Sequence, residues 1–315
     1  MIVFLLNRIY QAIPLLFFIS FVSFFMIKLA PGDPILAYAL PGMDAQTLER
    51  IRIDLGLDQP LHIQYWRWLT NMLQGEWGYS LTKHRPVLTL ITERLPATLL
   101  LMGTSFVISI LIAIPLALIS AANPNSWLDR SLSLFSYVGL SIPLFWFAIM
   151  LSYFFSSYLN WLPSLGMRSM GVDSTWDVIK HMILPCIGLV FLHVSVFSRY
   201  IRSHALSQLN SEYVQVQLAY GASPRSILWR HVLKNTLLPL ITLAGMSLPE
   251  LIAGAFITET IFSWPGMGSL GIEAVFSLDF PLIMAITLFS SMALILGNLL
   301  ADILYAYVDP RIKLK

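Results

Sequence analysis

Charged residues are scarce in this 315-residue chain. Asp, Glu, Lys and Arg together make up 11% of it, whereas hydrophobic residues make up 57%. Soluble domains contain roughly 25% charged residues, so water cannot be the solvent for most of this chain. The formal net charge is only +2, which gives no general case for binding nucleic acid. The composition therefore excludes an ordinary soluble domain and indicates a protein that lies largely in lipid.

Cysteine and recognisable catalytic motifs are also missing. The single cysteine, Cys186, excludes an internal disulfide and a metal cage of thiolates. The sequence contains no G-x-x-x-x-G-K-S/T loop, so it has no Walker-type phosphate site. The patterns H-E-x-x-H and G-x-S-x-G are absent as well. We therefore expect no catalytic residue, no metal site and no cofactor in this chain.

Long apolar blocks dominate what is present. A bilayer core of about 30 Å requires about 20 apolar residues in a helix, and six blocks of the sequence reach that length. The sequence therefore predicts an all-α, polytopic membrane protein with about six transmembrane helices. The predicted spans are residues 9–30, 96–121, 131–159, 181–200, 237–261 and 281–307.

The distribution of Lys and Arg predicts the orientation of these spans, because short cytoplasmic loops carry an excess of both. The loop between spans four and five contains Arg202, Arg225 and Arg230 against one acid, Glu212, and both chain ends carry further basic residues. The loop between spans five and six contains acids but neither Lys nor Arg. We therefore predict a multi-pass plasma (inner) membrane protein with both termini in the cytoplasm.

The spans divide the chain into three parts. Residues 1–30 contain the N-terminal segment and the first span, and residues 31–95 form an extracytoplasmic helical segment. Residues 96–315 form a five-helix core. This core includes the basic loop between spans four and five, at about residues 202–236, which is called the basic loop below.

The extracytoplasmic segment is predicted to contain two helices. Asp44 is a candidate N-cap and Gly56 a candidate stop for the first helix, and residues 62–73 form the second. Tyr65 in the second helix, together with neighbouring tryptophans, suits a membrane–water boundary. We favour a helical cap on the outer interface, with a substrate-binding surface as the alternative.

Acidic residues within the predicted spans are few. Ion-driven transporters usually keep charged residues at mid-membrane, whereas here Glu250 and Glu259 lie in span five and Asp302 near the inner end of span six. Glu250 follows Pro249, where a broken helix exposes backbone groups, and it is the intramembrane candidate. A structural hydrogen bond between helices is the alternative to a proton relay at this position.

The basic loop has a helix–turn–helix pattern. A helix is predicted to continue from span four to about Tyr220, where Gly221 interrupts it. Ser223 is a favourable N-cap, and Pro224 is a favourable first helical residue. Apolar residues then recur at helical spacing at Ile227, Leu228 and Val232. Two interpretations remain open at this point, a helix that lies on anionic lipid and an element that docks another protein.

Several motifs occur along the chain in a fixed order. They are LAPGDP at 29–34, LGLDQPLHIQYWRWL and GEWGYSL within 55–81, ERLPATLLL at 93–101, the stretch from Glu212 through AYGAS at 219–223, and ETIFSWPGMG at 259–268. Together these motifs resemble the permease subunits of binding-protein-dependent ABC importers, in the dipeptide, oligopeptide and nickel branch, as a dipeptide permease B-type subunit. Tyr213 and Val214 depart from the pair of alanines that this family has in the loop.

The resemblance implies a function for the basic loop, which docks in a groove of an ATPase subunit in that family. Ile227 and Leu228, with the basic residues around them, would then enter the groove. ATP-driven closure of the ATPases would move the loop and switch the pore between inward-facing and outward-facing states. The residues assigned to this coupling loop are Glu212, Ala219, Gly221, Ala222, Ser223, Pro224, Ile227 and Leu228.

The resemblance also implies the type I importer fold and a set of partners. These are a second homologous permease subunit, two ATPase subunits, an extracytoplasmic solute-binding protein and membrane lipid, with no nucleic acid. ATP and Mg would bind to the partner subunits. The expected cargo is a di- or oligopeptide, and nickel or a metal–chelator complex is the alternative within the family. A secondary transporter or channel is the more distant alternative.

The segment 263–268, called the Trp264 turn below, is a second candidate site. Trp264 is large and amphipathic, and Pro265 and Gly266 force a turn between spans five and six. We predict that this turn shapes the outer gate or a surface that docks the binding protein. An anchor at the membrane–water boundary is the alternative, because Trp favours that depth.

Overall fold

A computed structural model describes residues 2–29, 44–54, 56–237 and 255–308, together with residues 240, 241, 245 and 247. Regular structure in these ranges is helical, apart from one antiparallel bridge between Tyr79 and Pro86. The predicted all-α class is therefore confirmed.

The helices are numbered here in chain order. They are α1 (Ile2–Leu29), α2 (Ala45–Asp54), α3 (Leu61–Leu73), α4 (Val87–Ala122), α5 (Trp127–Ser141), α6 (Leu144–Leu151), α7 (Thr175–Leu209), α8 (Glu212–Ala219), α9 (Pro224–Ser226), α10 (Phe256–Ile261), α11 (Met267–Phe276) and α12 (Phe280–Val308). Helix α6 continues as a π-helical segment over Ser152–Tyr158, and α9 continues as one over Ile227–Val232.

Long apolar helices occupy most of the predicted spans. In the described residues, α1, α4, α7 and α12 are long and apolar enough to cross a membrane. The predicted third span is broken, because α5 and the α6 segment meet at an angle of 101°. Ile142 at the break has φ −82° and ψ 123°, the extended conformation that a following proline favours. The predicted fifth span lies mostly outside the described residues.

The central pair of helices is α4 and α7. Small buried residues recur every fourth position along α4, namely Ser105, Ser109, Ala113, Ala117 and Ala121. Such residues let two helix backbones approach closely within a membrane. The first half of α4 packs against the first half of α7, and their second halves pack together. The two helices therefore run in the same direction along their contact.

The first and last long helices pack against each other. Arg8 of α1 forms an ion pair with Asp302 of α12 at 2.7 Å, so the start of α1 lies beside the end of α12. Toward the other end of this pair, Tyr65 of α3 is 2% exposed, and its hydroxyl lies 2.8 Å from the Ser20 hydroxyl. Helix α3 packs this ring against Phe24, so protein covers it, and its predicted position at a membrane–water boundary stays a prediction.

The segment before α4 is tied to the other end of the bundle. Asp279 is fully buried and accepts hydrogen bonds from the Ser80 hydroxyl at 2.5 Å and the Thr82 hydroxyl at 3.0 Å. Lys83 forms an ion pair with Glu273 at 2.7 Å. The segment before α4 is therefore attached to α11 and α12 through these contacts.

Both predicted ends of helix α2 are confirmed. The Thr47 amide donates to the Asp44 carboxylate at 3.3 Å, which is the predicted N-cap. Gly56 has φ +65° after α2, which is the conformation expected of the predicted stop.

Candidate functional site

Helix α8 of the basic loop ends in a glycine turn. Gly221 has φ +82°, and its amide donates to the Leu218 carbonyl at 2.9 Å. The Ala222 amide donates to the Gln217 carbonyl at 3.0 Å. These two bonds form a Schellman motif, in which glycine is the default residue at the left-handed position. The predicted interruption at Gly221 is therefore confirmed.

The next helix begins immediately after this turn. Ser223 accepts a hydrogen bond from the Ser226 amide at 3.3 Å through its hydroxyl, and Pro224 is the first helical residue. Both local predictions are confirmed. The prediction of one continuous helix to about Tyr220 was wrong, because Ser211 adopts an extended conformation that separates α7 from α8, as is common for a serine at a helix start.

Ile227 and Leu228 point into the body of the protein. They are 2% and 7% exposed, and they belong to an apolar cluster with Ala117 of α4 and Ile201 of α7. This corrects the expectation that the two side chains enter a groove on an ATPase, because burial leaves them no surface for a partner. They hold the basic loop on the ends of the two central helices.

Other side chains form the exposed face of the loop. Tyr220 is 86% exposed, and Trp229 is 38% exposed. Arg225, Trp229 and Arg230 line a shallow depression together with Ser223. Of the other predicted residues, Glu212, Ala219, Gly221, Ser223 and Pro224 are exposed and Ala222 is partly buried. The loop therefore presents aromatic and guanidinium groups at a fixed turn.

The structure contains an ion pair at the base of the loop that was not predicted from the sequence. The sequence analysis used Arg202 only to predict which side of the membrane the loop faces. Asp129 of α5 is 3% exposed, and both of its carboxylate oxygens accept hydrogen bonds from Arg202 of α7, with Nη2 to Oδ2 at 2.8 Å. The Ser120 hydroxyl and the Asn125 amide also donate to this carboxylate. The ends of α4, α5 and α7 are therefore joined next to the loop.

Most of the Trp264 turn lies inside the protein. Trp264 is fully buried, and its indole Nε1 donates to the Ala97 carbonyl of α4 at 2.9 Å. Full burial leaves the Trp264 indole no surface of its own for a docking partner or a membrane–water anchor, whereas Ser263 of the same turn is exposed, so a docking role of the turn stays a prediction. A contribution to a gate stays a prediction. Pro265 is partly buried and Gly266 is buried.

A buried carboxylate organises the same turn. Glu259 of α10 is fully buried and accepts hydrogen bonds from the Thr98 hydroxyl at 2.8 Å and the Ser269 amide at 3.0 Å. The Thr98 hydroxyl in turn accepts from the Met267 amide at 2.7 Å. A Cβ at Gly266 would collide with the Glu259 carboxylate and the Thr98 hydroxyl, so only glycine fits there. Glu250 lies outside the described residues.

These features define a class of protein. A bundle of long apolar helices with a capped helix–turn–helix at one end has the membrane-embedded fold of a type I ABC importer permease. The fold is similar to that of a chain of the MetNI methionine ABC transporter in an inward-facing conformation, with a TM-score of 0.54 and 16% sequence identity. The match covers 71% of this chain and 98% of that chain.

The chain belongs to the family of binding-protein-dependent transport system inner membrane components, whose profile matches residues 113–314. The profile of the N-terminal region of such membrane components matches residues 1–102. The protein is therefore a multi-pass permease subunit of an ABC importer.

Full-length relatives agree with this assignment. The chain is 40% identical over 312 residues to the oligopeptide transport system permease protein AppB of Bacillus subtilis, covering 98% of this chain and 99% of that protein. It is 36% identical over 312 residues to the glutathione transport system permease protein GsiC of Salmonella paratyphi A, covering 99% of each.

Proposed function

We propose that this chain forms half of the translocation pore of a peptide importer and is coupled to ATPase subunits through the basic loop. The observation that carries the coupling role is the fixed turn at Gly221. It joins an exposed face, with Tyr220 and Arg225, to buried anchors at Ile227 and Leu228. The peptide cargo is supported by the names of relatives that match the whole chain. Those names favour peptides over nickel or a metal–chelator complex.

The packing of the loop supplies a route for mechanical coupling. Ile227, Leu228 and Val232 pack against the ends of α4 and α7. Close-packed side chains resist sliding and transmit displacement. A partner that displaces the exposed face would therefore move the two central helices. In this proposal, ATP binding biases a two-state pore through this contact.

The proposal assigns the chemistry to other subunits. Two ATPase subunits would bind ATP and Mg, a second permease would complete the pore, and an external binding protein would deliver the peptide. Lipid would surround the helices. Both termini are proposed to be cytoplasmic, and the ion pair between Arg8 and Asp302, which brings the ends of α1 and α12 together, supports their lying on one side.

Reconstitution tests this function. The chain is co-expressed with a second permease, ATPase subunits and a binding protein, and the complex is placed in proteoliposomes. We expect uptake of a labelled oligopeptide that requires ATP and all partners, and no ATP hydrolysis by the purified chain alone. Peptide uptake by the chain alone, driven by an ion gradient, would overturn the proposal in favour of a secondary transporter.

A further inference from the structure

A small polar pocket lies between α5 and α7, at the end of the bundle that carries the basic loop. Its volume is ≈ 190 Å³, and most of the residues that line it are serines or arginines. Sites for drug-sized ligands have volumes of roughly 300–1,000 Å³, whereas one water molecule takes up roughly 30 Å³ of the liquid. The pocket therefore has the size of a single small polar group, such as a phosphate, rather than that of a peptide.

The pocket carries an excess of positive charge. Arg199 and Arg202 line it, and none of its described lining residues is Asp or Glu. Arg202 is balanced by its ion pair with Asp129. Exposed Arg130 of α5 lies one turn before Ser133, on the same face of the helix. Neither Arg130 nor Arg199 forms an ion pair with a described residue, so the charge at this pocket favours an anion.

Both guanidinium groups keep N–H donors that the described residues do not use. Arg202 binds Asp129 through Nε and Nη2, which leaves Nη1 without a hydrogen bond to a described residue. Arg199 packs over the Tyr137 ring, 5.5 Å from its centroid, and this contact occupies none of its N–H groups. The Arg202 side chain is 28% exposed, and Arg199 is exposed. A ligand from outside the protein can therefore reach both residues.

The four serines of the pocket form two groups. Ser136 and Ser198 are buried, and their hydroxyls lie 3.1 Å apart in a hydrogen bond that joins α5 to α7. Ser133 is partly buried and Ser203 is exposed, and neither hydroxyl makes a hydrogen bond to a described residue. These two accessible hydroxyls add donors beside the arginines. Arginine and hydroxyl donors together suit the oxygens of a phosphate group.

The pocket lies at the edge of the predicted spans. Predicted span three begins at residue 131 and predicted span four ends at residue 200, so the pocket is at the membrane–water boundary of both helices. Helix α7 has 35 residues and is about 52 Å long, which exceeds a hydrocarbon core of about 30 Å. Exposed apolar residues, Leu134 and Val138, lie beside the pocket on α5. A polar site with an apolar surface next to it fits an amphipathic ligand at this depth.

We propose that this pocket binds the phosphate group of an anionic phospholipid, in the leaflet on the side of the basic loop, through Arg199 and Arg202. The phosphate oxygens accept hydrogen bonds from the two guanidinium groups and from the accessible serine hydroxyls. The acyl chains lie along the exposed apolar residues of α5. Basic pockets between membrane helices are suited to such head groups. The inference goes beyond the proposed function, since it concerns the surrounding lipid and not the cargo.

The charge of the pocket determines which phospholipid it prefers. Phosphatidylglycerol has a net negative charge, whereas phosphatidylcholine carries a quaternary ammonium group next to the same phosphate. Arg130 and Arg199 repel that ammonium group, and a repulsive element of this kind discriminates between two otherwise similar ligands. The site therefore selects phosphatidylglycerol over phosphatidylcholine.

The experiment uses the assembled transporter with its partner permease, ATPase subunits and binding protein. The complex in detergent is titrated with equal amounts of phosphatidylglycerol and phosphatidylcholine, and the bound lipids are counted by native mass spectrometry. Arg199→Gln removes one positive charge without breaking an ion pair, and Arg199→Lys keeps the charge. Lys180→Gln is the matched control, because Lys180 is an exposed basic residue near the other end of the same helix.

We expect the wild-type complex to retain one more phosphatidylglycerol than the Arg199→Gln complex at the same lipid concentration. The affinity of the site falls about tenfold in this variant, the effect of one lost charge-assisted hydrogen bond. Arg199→Lys restores part of the loss, and Lys180→Gln binds as the wild type does. Binding of phosphatidylcholine is the same in all four complexes. Inorganic phosphate at the concentration of the lipid does not displace phosphatidylglycerol.

Other outcomes overturn the inference. Equal retention of phosphatidylglycerol by the Arg199→Gln and Lys180→Gln complexes shows that the pocket does not bind this lipid. Displacement by inorganic phosphate assigns the pocket to a free anion. Loss of the partner permease from the Arg199→Gln complex assigns it to a contact between subunits. Peptide uptake by the wild-type complex is measured separately, so each of these outcomes leaves the proposed function intact.

Discussion

Substitution of Gly221 by valine is the sharpest test of the basic loop. Gly221 has φ +82°, and a Cβ there would meet nothing within 4 Å. The added Cβ therefore meets no neighbour, and the expected cost is the backbone strain of a left-handed residue, about 1–2 kcal/mol. That energy corresponds to a change of about 5–30-fold in the population of the native turn. The long helices are packed elsewhere, so membrane insertion stays normal.

The expected result is a selective loss of coupling. When the turn relaxes to negative φ, α8 and Tyr220 change direction relative to α9 and Arg225. The apparent affinity for the ATPase subunits then falls by the fraction of loops in the competent state, about tenfold. ATPase retention in detergent and ATP-dependent uptake are the two measurements. Gly221→Asn should retain most of both, because asparagine tolerates the left-handed region.

Gly171→Val provides the matched control. Gly171 has φ +76°, and a Cβ at this position would also meet nothing within 4 Å. Valine at position 171 therefore introduces similar backbone strain, but at a position outside the basic loop. This variant should lose similar stability and keep its ATPase subunits. If Gly221→Val retains the ATPases and transports peptide as well as Gly171→Val does, the coupling role of the turn is refuted.

Three further predictions concern the buried contacts and the topology. Trp264→Ala should lower stability by about 3–5 kcal/mol, the cost of removing a buried aromatic side chain, and a folded yield equal to that of the wild type would contradict its core position. Arg202→Met leaves the Asp129 carboxylate buried without its ion-pair partner and should cost about 3 kcal/mol. Adding Asp129→Asn should recover part of that loss in thermal unfolding, and no recovery would mean that the pair is not coupled. With Cys186→Ser as the background, Glu76→Cys should react with an impermeant thiol reagent from the outside, whereas labelling only from the cytoplasm would reverse the topology.

Features that depend on neighbouring residues could be predicted from the sequence. The Asp44 cap, the stop at Gly56 and the Gly221 turn each follow from the backbone preferences of one or two residues. The long spans follow from length and hydrophobicity. These signals act locally, so the rest of the fold does not change them.

Contacts between distant residues could not be predicted in this way. Arg202 reaches Asp129 across 73 positions, and Glu259 reaches Thr98 across 161 positions. Both contacts exist only once the helices have packed. Trp264 illustrates the same limit, because an indole suits a membrane boundary and a protein core equally well until its N–H finds a partner.

The parallel packing of α4 and α7 makes the pair a lever. The basic loop holds one end, around Ala121, and the Trp264 turn is hydrogen-bonded near the other end, at Ala97. At 1.5 Å per residue these two points on α4 are about 36 Å apart. A rigid tilt of about 5° at the loop would therefore shift the far end by about 3 Å. That distance is comparable to one hydrogen bond, so a small rotation at one end of the pair is sufficient to remake contacts at the other end.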